Sequence, residues 1–255
     1  MTQPLKDKLA LITGASRGIG AAVAARLAAD GASVIVTYAA GRARAEDVAA
    51  EIRAAGGEAE TVGADLGTLE GISTLTAAID QAFGGKFNGR LDILVNNAGT
   101  VEYGPFLASS DQSYDNHFNL NVRAPIALAK DAGKRMAKTG WGRIINISSA
   151  FGEAAPLPGV TLYIATKFAL SGFTKGLSRE LGPLGITVNG IQPGPIDTEL
   201  SPNPGTPEYD AMVKLTSVGR FGKVREIAAA VAYLAHPDAS YTNGENLTVD
   251  GGWNA

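Results

Sequence analysis

Leu9-Ala10-Leu11-Ile12-Thr13-Gly14-Ala15-Ser16-Arg17-Gly18-Ile19-Gly20 decides the fold. Its first four residues are a short apolar run closed by a glycine turn, the pattern of a buried strand. Ala21 to Ala29 follow, alanine-rich and strongly helical. The order is therefore strand, glycine-rich turn, helix. Gly14 permits the tight turn. Gly18 and Gly20 leave the backbone bare at the helix N-terminus, where unpaired N–H groups attract a pyrophosphate, with Ser16, Arg17 and Ile19 completing the turn. A glycine motif alone is weak evidence. A strand before it and a helix after it favour a dinucleotide site over a purely structural turn.

Ser33 to Thr37 reads as the second strand, after a helix stop at Gly31. An NAD site would place a carboxylate at its end to bind the ribose 2′-hydroxyl. The end is instead Thr37-Tyr38-Ala39-Ala40, with Arg17 in the glycine turn and Arg42 just beyond. A missing acid and two guanidinium groups suit a 2′-phosphate, so NADPH is expected over NADH. The alternative is that both arginines merely face water.

The pattern then repeats. Helices are expected at 44–55, 69–83, 111–138, 162–181 and 224–234, and strands at 59–62, 91–95, 142–148, 186–191 and 246–250. Strands alternating with helices imply a parallel, doubly wound α/β sheet, whose ligands bind outside the carboxyl ends of the strands. Asp65-Leu66 and Asn96-Asn97-Ala98-Gly99 fall at such ends and are expected to reach the cofactor. Gln192-Pro193-Gly194-Pro195-Ile196-Asp197-Thr198 would bring backbone amides close to the nicotinamide ring. Residues 199–217, with three prolines up to Pro207, have no clear core face at their start and read as a lid.

Composition narrows the function. The chain has 255 residues, 45% of them hydrophobic, enough for one large α/β domain. Net charge is −3 with no basic block, which argues against nucleic acid or an anionic membrane surface. Cysteine is absent, so disulfides and thiolate metal sites are excluded. The only histidines, His117 and His236, are far apart, and each reads as a surface or packing residue rather than a metal ligand. The stretch MTQPLKDKLALITG carries no run suited to a signal peptide, and no segment elsewhere would span a bilayer, so a cytoplasmic protein is expected.

The chemistry centres on Tyr163-Ile-Ala-Thr-Lys167. A spacing of four puts both polar side chains on one helix face. A free tyrosine titrates near ~10, and a fixed cation nearby favours the phenolate. The phenol is then expected to exchange a proton with a carbonyl or alcohol oxygen. Ser149, at the end of the 142–148 strand, can share that oxygen, although paired serines there also suit plain loop polarity. Asn121 and Pro125 sit inside the expected 111–138 helix, where both are unfavourable. They imply a kink, a task for Asn121, or both: its side chain or a freed backbone carbonyl can hold a water in line with Lys167.

Taken in order, Gly14/Gly18/Gly20, Asn96-Asn97-Ala98-Gly99, Asn121, Ser149, Tyr163-x-x-x-Lys167, Pro193-Gly194 and Val249-Asp250-Gly251-Gly252 resemble the short-chain dehydrogenase/reductase superfamily in its compact form, over nearly the whole chain. The resemblance implies a single domain over 1–255 with a Rossmann fold, a seven-stranded parallel sheet and helices on both faces. It implies Tyr163 as acid/base, Lys167 as its activator and ribose ligand, Ser149 as substrate-oxygen partner and Asn121 as relay member. Arg17 goes with NADPH, Asp65 with adenine and Thr198 with the nicotinamide amide. It further implies a small carbonyl substrate, no metal, and a homotetramer or homodimer pairing the helices that carry Asn121 and Tyr163. Relatives that reduce carrier-bound 3-oxoacyl chains often have arginines where this chain has Leu184 and Gly140, which argues against a carrier protein. Val101, Glu102, Phe151, Glu153, Leu157 and the 199–217 lid are the expected pocket wall. The rival reading is a nucleotide-binding sensor that keeps the fold without turnover.

Overall fold

Along the first strand the side chains alternate between two cores, which is why an apolar run with no polar face is needed there. Ala10 and Ile12 join one cluster and Leu9 and Leu11 the other. The computed structural model describes residues 3–155 and 157–255; Met1 and Thr2 of the N-terminal stretch read above lie outside the described residues.

In chain order the elements are β1 (Leu9–Ile12), α1 (Gly18–Ala29), β2 (Ser33–Tyr38), α2 (Arg42–Ala54), β3 (Glu58–Gly63), α3 (Leu69–Gln81) and β4 (Ile93–Asn96). Then come α4 (Asp111–Phe118), α5 (Ala124–Ala137), β5 (Gly142–Ile147), α6 (Thr161–Leu181) and β6 (Ile186–Pro193). The last part holds β7 (Ile196–Asp197), α7 (Pro207–Leu215), β8 (Gly222–Lys223), α8 (Val224–Ala235) and β9 (Asn246–Val249). The main sheet has seven strands in the order β3-β2-β1-β4-β5-β6-β9, every pair parallel. Helices α1, α2 and α8 cover one face, through residues such as Val23, Leu27, Ile52, Val231 and Leu234. Helices α3 and α5 cover the other, through Leu75, Ile79, Leu128 and Met136, with α6 packed alongside. This is the expected doubly wound Rossmann sheet.

Strand order reverses between β1 and β4, the two strands that the chain leaves in opposite directions. Ligands in such sheets bind at that crevice. The turn after β1 and the loop after β4 are stitched together there. Thr13 Oγ1 accepts both the Asn97 and the Ala98 N–H at 2.9 Å, and Asn97 Nδ2 donates to the Thr13 and Gly14 carbonyls at 2.8 and 3.0 Å.

One element takes the kinked form that the sequence reading allowed, and another was not expected. The expected 111–138 helix is broken by a π-helical segment at Asn119–Arg123, between α4 and α5. Pro125 has no N–H for the carbonyl of Asn121, four residues earlier, so the regular ladder cannot pass. The short ribbon of β7 paired with β8 was not expected, because two residues a side carry no pattern. The ribbon brackets the segment read as a lid, which itself contains α7.

Candidate active site

The glycine turn shows which glycines face the cleft and which face the protein. Gly14 has φ +62° and Gly18 φ +57°, backbone that side chains disfavour. At Gly18 a Cβ would meet only Thr198, at 3.7 Å, so this backbone is open to the cleft. Gly20 differs from expectation. A Cβ there would lie 2.5 Å from the Gly14 carbonyl and 2.6 Å from Asn97 Nδ2, so its bareness serves helix–strand packing rather than pyrophosphate approach. Helix α1 has no side-chain cap on its first N–H groups and no acid in its first turn. Free donors, a bare backbone and the positive end of a helix dipole fit a pyrophosphate. Thr37 completes the turn, its Oγ1 accepting the Gly14 N–H at 3.1 Å.

A cleft of about 780 Å³ runs from this turn along the strand ends. Ser16, Arg17, Ile19, Tyr38, Asp65, Leu66, Asn97, Ala98 and Gly99 line it, as do Pro193, Gly194, Ile196 and Thr198. The structure thus brings together nearly all of the residues expected to meet a dinucleotide. Arg42 is an exception. It opens α2, is exposed and does not line the cleft, whereas Arg44 does. Asn96 is another: it is buried, and its Nδ2 donates to Asn146 Oδ1 at 2.9 Å, making it part of the core.

At the other end Ser149, Tyr163 and Lys167 line the same cleft. Tyr163 and Lys167 stand one turn apart on α6, with Lys167 Nζ 5.4 Å from the centre of the tyrosine ring. Lys167 Nζ donates to the carbonyl of Ile147, the last residue of β5, at 3.0 Å. Ser149 Oγ accepts the Phe151 N–H at 3.2 Å. Ser148, not singled out from sequence, fastens the helix to the strand by donating to the Lys167 carbonyl at 3.1 Å.

The electrostatics correct one expectation. The phenol of Tyr163 is not lowered by the lysine. Burial pushes it up to about 12, against a lowering hydrogen bond from Ser149. Burial also pushes Lys167 down to about 8. Both ionised forms lose water in this corner, and the ammonium is held by a neutral carbonyl. At neutral pH the tyrosine is a proton carrier and the lysine keeps its charge.

Asn121 lies in the π-helical segment and does not line the cleft. Its side chain is fully engaged: Oδ1 accepts the Thr100 N–H at 2.8 Å, and Nδ2 donates to the Thr100 carbonyl at 2.9 Å and to Thr166 Oγ1 at 3.1 Å. Both amide protons are thus taken, and the backbone carbonyl is one that Pro125 cannot meet with an N–H.

The wall near Tyr163 is more apolar than expected. Val101 and Phe151 line it together with Tyr103, Val160, Leu200 and Met212, so the lid segment does contribute. Glu102, Glu153 and Leu157 do not. Asn116 Nδ2 donates to Glu102 Oε1 at 3.1 Å, and Thr248 Oγ1 donates to Glu153 at 3.1 Å, so both carboxylates turn to other partners. His117 is buried as a packing residue: Nδ1 donates to the Ser113 carbonyl and Nε2 accepts the Glu102 N–H. Trp253, missed from sequence, lines the cleft and packs edge-on to Phe151 at 5.5 Å, which packs edge-on to Tyr163 at 6.0 Å. The tail that carries it passes close to the turn after β6: a Cβ at Gly194 would come within 2.6 Å of Asp250 Cα. Asp250 then accepts the Gly252 and Asn254 N–H groups and turns the tail back over the site.

Comparison with known proteins agrees with this geometry. A family model described as enoyl-(acyl carrier protein) reductase matches residues 14–254. A protein of Escherichia coli named cyclic-di-GMP-binding biofilm dispersal mediator protein is 39% identical over 248 residues, covering 97% of this chain and 98% of its own. A short-chain dehydrogenase/reductase from Serratia marcescens superposes with TM-score 0.91 at 44% identity, covering 99% of this chain and 100% of its own. A short-chain dehydrogenase from Burkholderia cenocepacia, solved in complex with NADP, gives TM-score 0.90 at 41% identity with 99% and 100% coverage. No helix among the described residues is long and apolar enough to cross a membrane. On sheet order, glycine turn, cleft and likeness together, the chain belongs to the short-chain dehydrogenase/reductase family of oxidoreductases.

Proposed function

We propose that the protein is an NADPH-dependent carbonyl reductase that converts a small ketone or aldehyde to the matching alcohol, or the reverse. The observation that carries this reading is that Ser149, Tyr163 and Lys167 line one cleft with the glycine turn. A bound NADPH would supply the hydride. The bare backbone at Gly18 and the uncapped start of α1 hold the pyrophosphate. Arg17 and Arg44 read the 2′-phosphate, and Asp65 and Leu66 flank the adenine. Ala98 and Gly99 support the middle of the cofactor. Pro193, Gly194, Ile196 and Thr198 seat the nicotinamide end.

Ser149 and Tyr163 direct their hydroxyls at the substrate oxygen, stabilising charge where it develops, and Tyr163 gives the proton. Lys167 keeps its cation beside the nascent tyrosinate and holds the ribose. Asn121 positions the loop that carries Gly99 and Thr100. The apolar wall, and Leu184 and Gly140 where carrier-specific relatives have arginine, favour a free apolar carbonyl compound over a carrier-bound one. Residues 1–255 act as one domain with 199–217 as lid, in the cytoplasm, as a homotetramer.

The test is incubation with NADPH and a panel of carbonyl compounds, followed by absorbance. Tyr163→Phe is expected to lose about 10²- to 10⁴-fold in turnover while binding NADPH as the wild type does. The name of the Escherichia coli relative favours one second reading, a nucleotide sensor without turnover. That reading predicts no compound turned over at all.

A further inference from the structure

Glu199 stands at the mouth of the cleft, between the two arginines assigned above to the 2′-phosphate. Its Oε2 accepts from Arg17 NH1 at 2.7 Å and from Arg44 NH1 at 2.9 Å. One carboxylate oxygen therefore holds guanidinium groups from two separate elements, the glycine turn and α2. Glu199 is also the second residue after β7, at the root of the lid segment, and Leu200, Ser201 and Pro202 behind it line the cleft. We propose that Glu199 is a competing carboxylate. It occupies the arginine pair in place of a 2′-phosphate, so that only a cofactor carrying that phosphate displaces it and releases the start of the lid. The proposal rests on the cofactor reading given above.

Charge decides the competition. Two guanidinium groups face a single negative charge from Glu199. A phosphate monoester brings about −1.5 to −2 and three acceptor oxygens, and it can meet both arginines in bidentate fashion. The contact it must break is weak by design of its surroundings: the side chains of Arg17, Arg44 and Glu199 are 48%, 56% and 56% exposed, so water and salt screen them. Once a phosphate sits between the arginines, the carboxylate beside it is repelled. An NADH ribose brings no charge and leaves Glu199 where it is.

Backbone motion that follows the displacement of Glu199 has one direction open to it. Upstream, Asp197 is pinned by Lys223 Nζ at 2.8 Å and by the pairing of β7 with β8. Downstream, Leu200 to Pro202 carry no regular structure, and Ser201 is held by its N–H on the Thr198 carbonyl and its hydroxyl on Thr198 Oγ1 and the Ile196 carbonyl. Displacement is thus passed into the segment that forms the substrate wall. The far end of the segment is tied separately, by Val218 N–H to the Gly251 carbonyl at 3.2 Å, so motion is confined between the two. By reciprocity, a lid root that is already free must favour the phosphate by the same factor.

The test measures binding, not turnover. NADP+, NAD+, 2′,5′-ADP and 5′-AMP are titrated by calorimetry into the wild type, Glu199→Gln and the double variant Arg17→Gln/Arg44→Gln. Tryptic cleavage after Lys214, inside the lid, is followed in parallel. Glu199→Gln is expected to tighten NADP+ and 2′,5′-ADP roughly threefold to tenfold and to leave NAD+ and 5′-AMP within twofold. In the wild type 2′,5′-ADP, which has no nicotinamide end, is expected to speed cleavage after Lys214, and Glu199→Gln to be cleaved at that faster rate without it. Unchanged NADP+ binding in Glu199→Gln overturns the competition. Weaker NAD+ binding overturns it too, by making Glu199 a ribose ligand. If the double arginine variant binds NADP+ as the wild type does, the 2′-phosphate assignment itself falls, and the competition with it.

Discussion

Asn121 and Thr100 form a two-bond clasp in which a side-chain amide stands in for a neighbouring strand. The Thr100 N–H gives a hydrogen bond to Asn121 Oδ1 at 2.8 Å, and the Thr100 carbonyl receives one from Asn121 Nδ2 at 2.9 Å. The clasp fixes the loop after β4, where Gly99 packs against the same side chain, a Cβ there falling 3.2 Å from Asn121 Oδ1. It also reaches α6 through Thr166. Asn121→Ala removes one donor and one acceptor from a partly buried backbone unit, at about 1–3 kcal/mol. A fall in Tm of several degrees is expected. Turnover efficiency is expected to fall at least about tenfold, because the loop proposed to support the cofactor loses its register. Asn121→Asp turns a carboxylate oxygen toward the Thr100 carbonyl in a buried site, so it is expected to be no more stable than Asn121→Ala. Thermal unfolding and kinetics on the three proteins check this ordering.

Burial of Lys167 costs folding stability. Its ammonium is buried, and its pKa falls from 10.5 to about 8. Below about pH 8 the folded and unfolded chains are both charged there, and the full desolvation penalty is present. Between about 8 and 10.5 the folded chain releases a proton that the unfolded chain keeps, so stability contributed at this site rises with pH. The gap from 10.5 to about 8 corresponds to roughly 3 kcal/mol. Lys167→Met recovers most of that and loses the bond to Ile147, worth about 1 kcal/mol. The variant is expected to be more stable than the wild type by about 1–2 kcal/mol at pH 7, with the advantage shrinking toward pH 10. Turnover should drop by at least about a hundredfold. Denaturant unfolding at both pH values decides it, and a variant less stable at pH 7 would remove the argument.

The sheet was legible because β1, β2 and β4 are buried on both faces and each carries a short apolar run, Leu9–Ile12, 34–36 and 93–95. The position of the cleft followed from strand ends, a property of topology. What the sequence did not show depends on which way a side chain turns. Arg42 and Arg44 are two apart on α2 and indistinguishable in composition, yet only Arg44 faces the cleft. Gly20 and Gly18 belong to one motif but face protein and open cleft respectively. The sign of the Tyr163 shift was also hidden, since the spacing of tyrosine and lysine says nothing of how much water either retains. Trp253 was unreadable for another reason. It reaches the cleft only through the Asp250 turn, a contact between segments with no local pattern.

The two glycines can be separated experimentally. A methyl at Gly20 would meet backbone, 2.5 Å from the Gly14 carbonyl, which cannot move without breaking the turn. Gly20→Ala is expected to cost about 1–3 kcal/mol of folding stability with no nucleotide present. At Gly18 the methyl has room, and the cost is the positive φ alone, about 1–2 kcal/mol. Its larger effect should be on binding, because it faces the cleft. Gly18→Ala is expected to weaken NADP+ at least about tenfold. Calorimetric binding and unfolding on both variants should rank them oppositely, and equal loss of binding per unit of stability would contradict the division.

The outer side of α6 bears on assembly. Its inner residues Thr166, Lys167, Leu170, Ser171 and Thr174 are buried against the sheet. Ala165, Phe168, Ala169, Gly172 and Gly176 fall on the opposite face, spaced three and four apart, and all are exposed. Phe168 is 47% exposed at the centre of this stripe, and a Cβ added at Gly172 or Gly176 would touch nothing within 4 Å. Small residues around one aromatic let a second helix approach closely. The wild type is therefore expected to sediment as a multiple of the chain mass, and Phe168→Glu to sediment nearer the monomer. Pairing along this face would also clamp the helix whose inner side holds Tyr163 and Lys167. Phe168→Glu should accordingly lose turnover in proportion to its dissociation and regain part of it at higher protein concentration. Turnover that falls without any change in sedimentation would instead place the effect within one chain.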